Sequence, residues 1–201
     1  IVTQVIVDEN DPAFSHPTKP IGAFYTKEQA DALAAEKGYT MTEDSGRGYR
    51  QVVASPSPVD VIEKESIKAL MAAGQIVIAV GGGGIPVAER GGRLVGVPAV
   101  IDKDLASAKL ARLVQADMLI ILTAVEQVAV NFGKPDQRGI DCMDLAQAQE
   151  FIEQGQFAPG SMLPKVRAAM DFASGGGKAI IASLERAADA VRGKSGTAVV
   201  R

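Results

Sequence analysis

The sequence predicts an α/β fold, in which apolar strands alternate with helices and a largely parallel sheet is covered on both faces. Short apolar runs such as Gln75–Val80 and Asp117–Val125 are typical of buried strands. Amphipathic helical segments separate these runs, as crossover connections between parallel strands require. The chain has 201 residues, 47% of them hydrophobic, which is enough for one domain with a substantial core.

The N-terminal quarter departs from this alternation. Ile1–Val7 is rich in β-branched residues and predicts a strand, whereas Asp8–Tyr25 contains several prolines and predicts a long loop. Thr26–Gly38 predicts a helix with a capping threonine at its start and a glycine at its end. Tyr39–Asp60 predicts short strands and turns. We interpret residues 12–57 as a small subdomain inserted in a single domain of residues 1–201.

Beyond this subdomain, strands and helices alternate in regular order. Helices are predicted at Val61–Gly74, Asp102–Ala116, Cys142–Gly155, Ser161–Gly176 and Leu184–Gly193, and strands at Gln75–Val80, Pro98–Ile101, Asp117–Val125, Val128–Phe132, Lys178–Ser183 and Thr197–Arg201.

Composition excludes several classes of function. With 21 basic and 24 acidic residues the net charge is −3, which argues against general nucleic-acid binding. No apolar run reaches the length of a membrane span. Cys142 and His16 are the single cysteine and histidine, so neither a disulfide within the chain nor a Cys/His metal site can form. The chain begins with a strand-like segment and no initiator methionine, and we expect an N-terminal part to be missing.

Four consecutive glycines, Gly81–Gly84, follow the predicted strand Gln75–Val80. Ligands of open parallel sheets bind at the carboxyl ends of strands, and amides without a neighbouring Cβ can converge there on an anion. The alternative is a flexible loop. A Walker loop is excluded because no Gly-Lys-Ser/Thr follows, and a dinucleotide fingerprint is excluded because Pro86 and a turn stand where a helix must open.

Three lysines and one aspartate accompany the glycines. Lys19 lies between prolines, Lys103 and Asp104 open a predicted helix, and Lys165 lies near the start of another. A lysine at a helix N-terminus is unfavourable for the helix dipole but suits the binding of an anion. Asp104 could equally be a helix cap, and the lysines solvated surface charges. Together they match phosphoryl transfer, which needs positioned positive charge more than acid–base chemistry.

These segments resemble, in order, the carbamate kinases of the amino acid kinase family. The matching stretches cover nearly the whole chain: TQVIVD, NDPAFSHPTKPIGAFY, EDSGRGYRQVVASPSPVDVIE, GGGGIPV, AVIDKDLASAKLA, ILTAVEQVAVNFGKPDQ, FAPGSMLPKVRAAMDF and GTAVV. The resemblance implies a three-layer αβα sandwich with a mainly parallel sheet and a protruding subdomain. It implies reversible phosphoryl transfer between ATP and carbamate, giving ADP and carbamoyl phosphate, with Mg²⁺ on the nucleotide. It also implies a cytoplasmic homodimer acting in arginine metabolism, with no nucleic-acid or membrane partner.

The resemblance also assigns residues. Lys19 is directed toward the substrate, Lys103 lies near the reacting phosphate, Asp104 organises the catalytic lysines, and Lys165 binds the nucleotide phosphates. The glycine run surrounds the carbamate, with candidate substrate contacts at Gly81, Gly82, Gly83 and Gly84. The candidate nucleotide contacts are Thr123, Ala124, Val125, Phe132, Met162, Pro164 and Lys165. No residue is assigned as a metal ligand.

The sequence departs from the family at a few positions. Ala124 stands where Gly or Asp is usual, Glu126 replaces Asp, Phe132 replaces Tyr, and Tyr49 replaces Trp. The family's N-terminal strand and its glycine-rich phosphate loop have no counterpart before Ile1. A related enzyme acting on another small carboxylate, or a catalytically silent homologue with an assembly or regulatory role, therefore remains an alternative.

Overall fold

Strands and helices alternate through most of the computed structural model, which describes residues 1–44 and 46–201. The strands are β1 (Gln4–Val7), β2 (Lys19–Tyr25), β3 (Met41–Glu43), β4 (Tyr49–Val53), β5 (Pro58–Val61), β6 (Ile85–Arg90), β7 (Arg93–Gly96), β8 (Met118–Thr123), β9 (Ala129–Val130), β10 (Arg138–Gly139), β11 (Cys142–Asp144), β12 (Lys178–Ser183) and β13 (Thr197–Val200). The α-helices are α1 (Lys27–Lys37), α2 (Lys64–Ala72), α3 (Lys103–Leu113), α4 (Leu145–Glu153), α5 (Met162–Ser174) and α6 (Ala187–Val191).

Two four-stranded sheets form the body of the molecule and confirm the α/β class. The first has the order β5-β1-β6-β7, with β1 parallel to β6 and antiparallel to β5. The second has the order β11-β13-β12-β8, with β12 parallel to β8 and antiparallel to β13. Both sheets therefore mix parallel and antiparallel pairing.

Helices α3 and α5 join these two sheets. They pack against each other, and α3 also contacts β5 of the first sheet while α5 contacts β12 of the second. Helix α5 buries Val166, Ala168 and Phe172, which belong to the largest apolar cluster. A second cluster places Val5, Val61 and Ile101 together beside α3. The packing fixes the first turns of α3 and α5 beside each other.

The segment 12–57 forms a separate three-stranded antiparallel sheet, β2-β4-β3, with α1 packed against it. The predicted helix is confirmed: Thr26 and Gln29 form a capping box, and Gly38 ends the helix in a left-handed conformation. The prediction of a loop over Asp8–Tyr25 is wrong for its last seven residues, because Lys19–Tyr25 is strand β2. Residues 8–18 are irregular apart from a 3-10 turn at Pro12–Phe14. Pro20 is compatible with this strand because β2 lies at the edge of its sheet.

Two other predicted strands do not form. Gln75–Val80 is irregular, and the side chains of Ile76 and Ile78 are 99% and 81% exposed. Its apolar character suits a buried strand, but among the described residues no strand pairs with it. Pro98–Ile101 is also irregular, with Val100 donating a single hydrogen bond to the Ala54 carbonyl. The hairpin of β6 and β7, by contrast, was not predicted.

Within residues 1–44 and 46–201, no helix combines the length and the apolar character needed to cross a bilayer.

Candidate active site

The site is built around the start of helix α3. Asp102 is the N-cap residue, and its Oδ1 accepts hydrogen bonds from the backbone amides of Asp104 at 2.9 Å and Leu105 at 3.4 Å. These amides have no partner inside the helix, which is why a carboxylate is favoured here. The helix cap is therefore Asp102, and the alternative role of Asp104 as the cap is wrong.

The second oxygen of Asp102 binds Lys19. The Lys19 Nζ lies 2.7 Å from Asp102 Oδ2, and the two side chains are 26% and 15% exposed. This pair joins the small sheet, which carries Lys19, to the body of the molecule. Burial opposes ionisation of Asp102, but the hydrogen bond and the charge of Lys19, together with the capped amides, outweigh it and lower the pKa of this carboxyl.

A second ion pair lies two residues further along α3. The Lys165 Nζ donates to Asp104 Oδ2 at 2.8 Å, and the two side chains are 16% and 12% exposed. Lys165 lies in the first turn of α5, so the packing of α3 on α5 brings the pair together. The expected association of Asp104 with a lysine is thus present for Lys165.

Lys103 lies between the two aspartates but is exposed. Among residues 1–44 and 46–201, no side chain forms an ion pair with it. In this structure Asp104 therefore contacts Lys165 and not Lys103, and its role in organising the catalytic lysines stays a prediction.

The glycine run packs against the residue that precedes this helix. Gly83 has φ +137°, and a Cβ there would overlap the Ile101 carbonyl oxygen. At Gly84, with φ +85°, a Cβ would lie 3.2 Å from the Thr3 carbonyl oxygen and against Val5. Gly81 and Gly82 are exposed and have open space around them. Two of the four glycines are thus required by the chain's own packing, and the other two are free to face a ligand.

An apolar cavity of about 510 Å³ opens beside Lys165. It lies between the end of β8, the segment after β9 and the start of α5. Its wall contains Thr123, Ala124, Val125, Phe132, Met162 and Lys165, six of the seven predicted nucleotide contacts. Phe132 is 65% exposed and lines this cavity, so its ring is accessible to a ligand there.

A second cavity of about 380 Å³ lies between the small sheet and the helix pair α3–α5. Lys19 and Asp102 line it, together with hydroxyl groups of Thr18, Thr42 and Ser55. Pro164, the seventh predicted nucleotide contact, lines this cavity and is absent from the wall of the first. Both cavities border α5, at Lys165 on one side and Pro164 on the other.

Sequence reasoning missed Asp102 and Arg167. Arg167 lies on α5 and lines the second cavity. The signal for Asp102 was available in the alternation Asp-Lys-Asp at residues 102–104, because two aspartates separated by one residue at a helix start cannot both be the cap. Nothing in the sequence around Arg167 distinguishes it from a solvated surface charge.

The chain is similar to known proteins of one family. A model of the amino acid kinase family matches residues 19–183. A carbamate kinase of Clostridium perfringens is 63% identical over 203 residues, which cover 100% of this chain and 65% of that protein. A carbamate kinase-like protein, YqeA, of Escherichia coli is 59% identical over 99% of this chain and 64% of that protein.

Solved structures give the same result. Carbamate kinase from Giardia lamblia bound to AMP-PNP has a TM-score of 0.86 and 46% identity, covering 100% of this chain and 64% of that one. The same enzyme bound to citric acid has a TM-score of 0.91 and 44% identity, over 63% of its chain. The present chain spans about 65% of the length of the curated relatives. Since the family model matches residues 19–183, well over half of the 201 residues, this chain belongs to the amino acid kinase family.

Proposed function

We propose that the protein is a carbamate kinase, which transfers a phosphoryl group reversibly between ATP and carbamate. The observation that carries this proposal is the pair of lysine–aspartate contacts at the start of α3, where Lys19 comes from the small sheet and Lys165 from α5. Phosphoryl transfer is accelerated by positive charge fixed around the moving group, and two anchored lysines supply it.

The first cavity suits the nucleotide. Its wall is largely apolar, it carries the exposed ring of Phe132, and Lys165 lies at its edge. An adenine base needs an apolar, aromatic surface, while its phosphates need a cation. We assign the base to the region of Val125 and Phe132 and the phosphates to Lys165. The Giardia lamblia relative solved with AMP-PNP supports a nucleotide site in this fold.

The second cavity suits the small anionic acceptor. Its donors for a carboxylate or phosphate oxygen are Lys19, Arg167 and the threonine and serine hydroxyls. The carboxylates of Asp102, Glu43 and Asp44 line it as well. The glycine run lies close by, because Gly83 packs on Ile101, the residue before Asp102. We therefore assign carbamate, or the carbamoyl end of carbamoyl phosphate, to the space between Lys19 and the exposed turn at Gly81 and Gly82, where the Gly81 amide itself donates to the Ala79 carbonyl.

In this arrangement the side chains bind and orient, and none needs to act as a base. Carbamate is already an anion, so its oxygen attacks the phosphoryl group without losing a proton. Lys165 holds the phosphates while Asp104 fixes the direction of its ammonium group. Lys103, exposed beside them, is free to reach the transferred phosphoryl group.

Further parts of the proposal come from the resemblance. Mg²⁺ would arrive on the nucleotide phosphates, as the resemblance implies. When bound, it would neutralise phosphate charge. The proposal also includes a homodimer, a cytoplasmic location and a part in arginine metabolism. The subdomain at residues 12–57 would close over the site.

The test combines calorimetry with kinetics. Lys165→Ala is expected to weaken ADP binding and to lower carbamoyl-phosphate-dependent ATP formation by orders of magnitude with the fold retained, whereas Lys19→Ala should impair the use of carbamoyl phosphate far more than ADP binding. Lys27→Ala is the control, because Lys27 lies on α1 in an exposed pair with Asp31. Full activity of Lys165→Ala would contradict the assignment, and equal losses for both substrates in Lys19→Ala would contradict the division between the cavities.

A further inference from the structure

Asp102 uses its two carboxylate oxygens for two different purposes. Oδ1 accepts from the amides of Asp104 and Leu105 and so caps α3. Oδ2 accepts from the Lys19 ammonium, which comes from a strand 83 positions earlier in the chain. The cap needs an oxygen atom but no charge, since Asn and Ser cap helices as well as Asp does. The helix dipole favours a negative charge here modestly, and the side-chain partner of that charge is Lys19.

We propose that Asp102 is a positioning residue that holds the Lys19 ammonium beside the start of α3, where a substrate anion then competes for it. This inference rests on the proposed function, because it concerns the lysine assigned to the acceptor. The position of the Lys19 ammonium beside Asp102 is given by the geometry of the Lys19–Asp102 pair.

A lysine on an edge strand does not hold one position without a partner. Its four-carbon side chain is flexible and its ammonium is a point charge with no preferred plane. Lys19 is the first residue of β2, in a sheet that is separate from the sheets joined by α3 and α5. The contact with Asp102 fixes both the direction of this side chain and the approach of the small sheet to the body.

The neighbouring pair provides a natural comparison. Asp104 and Lys165 form the same kind of contact with similar burial, but Lys165 lies on α5, which is packed firmly against α3. Lys165 is thus held by its helix as well as by its carboxylate. Lys19 depends on Asp102 to a greater degree, so loss of the carboxylate should release Lys19 more than loss of Asp104 releases Lys165.

The test is competitive acetylation of lysines in the 201-residue chain, with each rate read by mass spectrometry. In Asp102→Asn, which keeps the cap, the Lys19 rate should rise at least threefold while the Lys165 rate changes by less than 1.5-fold. Asp104→Asn is the matched control, in which any increase should fall on Lys165 and not on Lys19. An unchanged Lys19 rate in folded Asp102→Asn would overturn the proposal.

Asp102→Ser serves as a second variant, because a serine hydroxyl also caps the helix but cannot reach Lys19 as a charged partner. The wild-type chain gives a further measurement that needs no substitution. Lys103 is exposed beside Asp102 and should be acetylated faster than Lys19. Equal rates for these two lysines would also overturn the proposal.

Kinetics separate positioning from a merely structural role. Asp102→Asn is expected to raise the KM for carbamoyl phosphate or lower kcat at least tenfold, with ADP affinity within twofold of wild type. Wild-type turnover in a variant whose Lys19 is released would refute a positioning role. If the wild-type protein neither binds ADP nor makes ATP, the proposed function fails, while the acetylation rates still decide whether Asp102 holds Lys19.

Discussion

Replacement of Gly83 by alanine tests whether the glycine run is shaped by the protein's own packing. The residue has φ +137°, a region that residues with a Cβ rarely adopt. A Cβ would overlap the Ile101 carbonyl oxygen and lie 2.9 Å from its carbonyl carbon. Because that atom belongs to buried backbone next to Asp102, it cannot rotate away as a flexible side chain would.

The expected loss of stability has two contributions, the backbone conformation and the steric overlap. The unfavourable backbone conformation costs about 1–3 kcal/mol, and forcing atoms into a packed site costs about 1–3 kcal/mol more. We therefore expect Gly83→Ala to lower the free energy of unfolding by about 2–6 kcal/mol. Gly82→Ala is the matched control: Gly82 has no neighbour within 4 Å and no positive φ, so it should be within about 0.5 kcal/mol of wild type.

The assay is denaturant unfolding of the 201-residue chain, followed by circular dichroism, for wild type and both variants. The slope of the transition should stay the same, so that the shift in midpoint reports stability. If Gly83→Ala and Gly82→Ala unfold at the same denaturant concentration, Gly83 does not pack closely on Ile101 and the reasoning is refuted.

Three further predictions concern the site. Asp104→Asn leaves the largely buried Lys165 ammonium without its counter-charge, and we expect the free energy of unfolding to fall by about 3 kcal/mol. This value is at the lower end for a broken buried pair, because both side chains keep some exposure. A change below about 0.5 kcal/mol in the same unfolding assay would contradict a stabilising pair. Asp102 has a pKa below its ordinary 3.8 in the folded chain, so its contribution is present above about pH 4 and is lost as pH falls through the folded value. Wild type should therefore keep a constant stability advantage over Asp102→Asn between about pH 6 and pH 4 and lose it as pH falls further below about pH 4, and a difference that stays constant below pH 4 would refute this linkage. Phe132→Ala removes an exposed ring from the first cavity. This loss should weaken ADP binding by about 1–2 kcal/mol in calorimetry and change the free energy of unfolding by less than about 0.5 kcal/mol. Unaltered ADP affinity would exclude the ring from the nucleotide site.

Local sequence signals were sufficient where an element is stabilised by its own residues. The helix after Thr26 was predicted with both ends because Thr26, Gln29 and Gly38 act within one or two turns of it. Strands β8 and β12 were predicted from their apolar runs, which fit a sheet that is covered on both faces. The Asp104–Lys165 contact agrees with an association expected from the family resemblance, and spacing alone could not have given it.

Pairing across the chain decided the rest. Gln75–Val80 has the composition of a buried strand, but a strand needs a neighbour for its backbone hydrogen bonds, and none of the described residues provides one. Lys19–Tyr25 contains a proline and a glycine and follows a proline-rich segment, yet β4 supplies a partner and makes it a strand.

The need for partners from distant parts of the chain also explains what the sequence determined about the site and what it left open. The sequence determined which residue types are present: lysines, aspartates and glycines suited to phosphoryl transfer. Only the tertiary structure decided which of them meet. It assigned Asp102 to Lys19 and Asp104 to Lys165, because the small sheet and α5 approach α3 from different directions. It left Lys103 exposed, and it gave Gly83 and Gly84 to internal packing while Gly81 and Gly82 remain open. The two residues of the Asp104–Lys165 pair are 61 positions apart in the chain, and those of the Lys19–Asp102 pair are 83 positions apart. Such contacts depend on the packing of whole elements, and no local pattern encodes that packing.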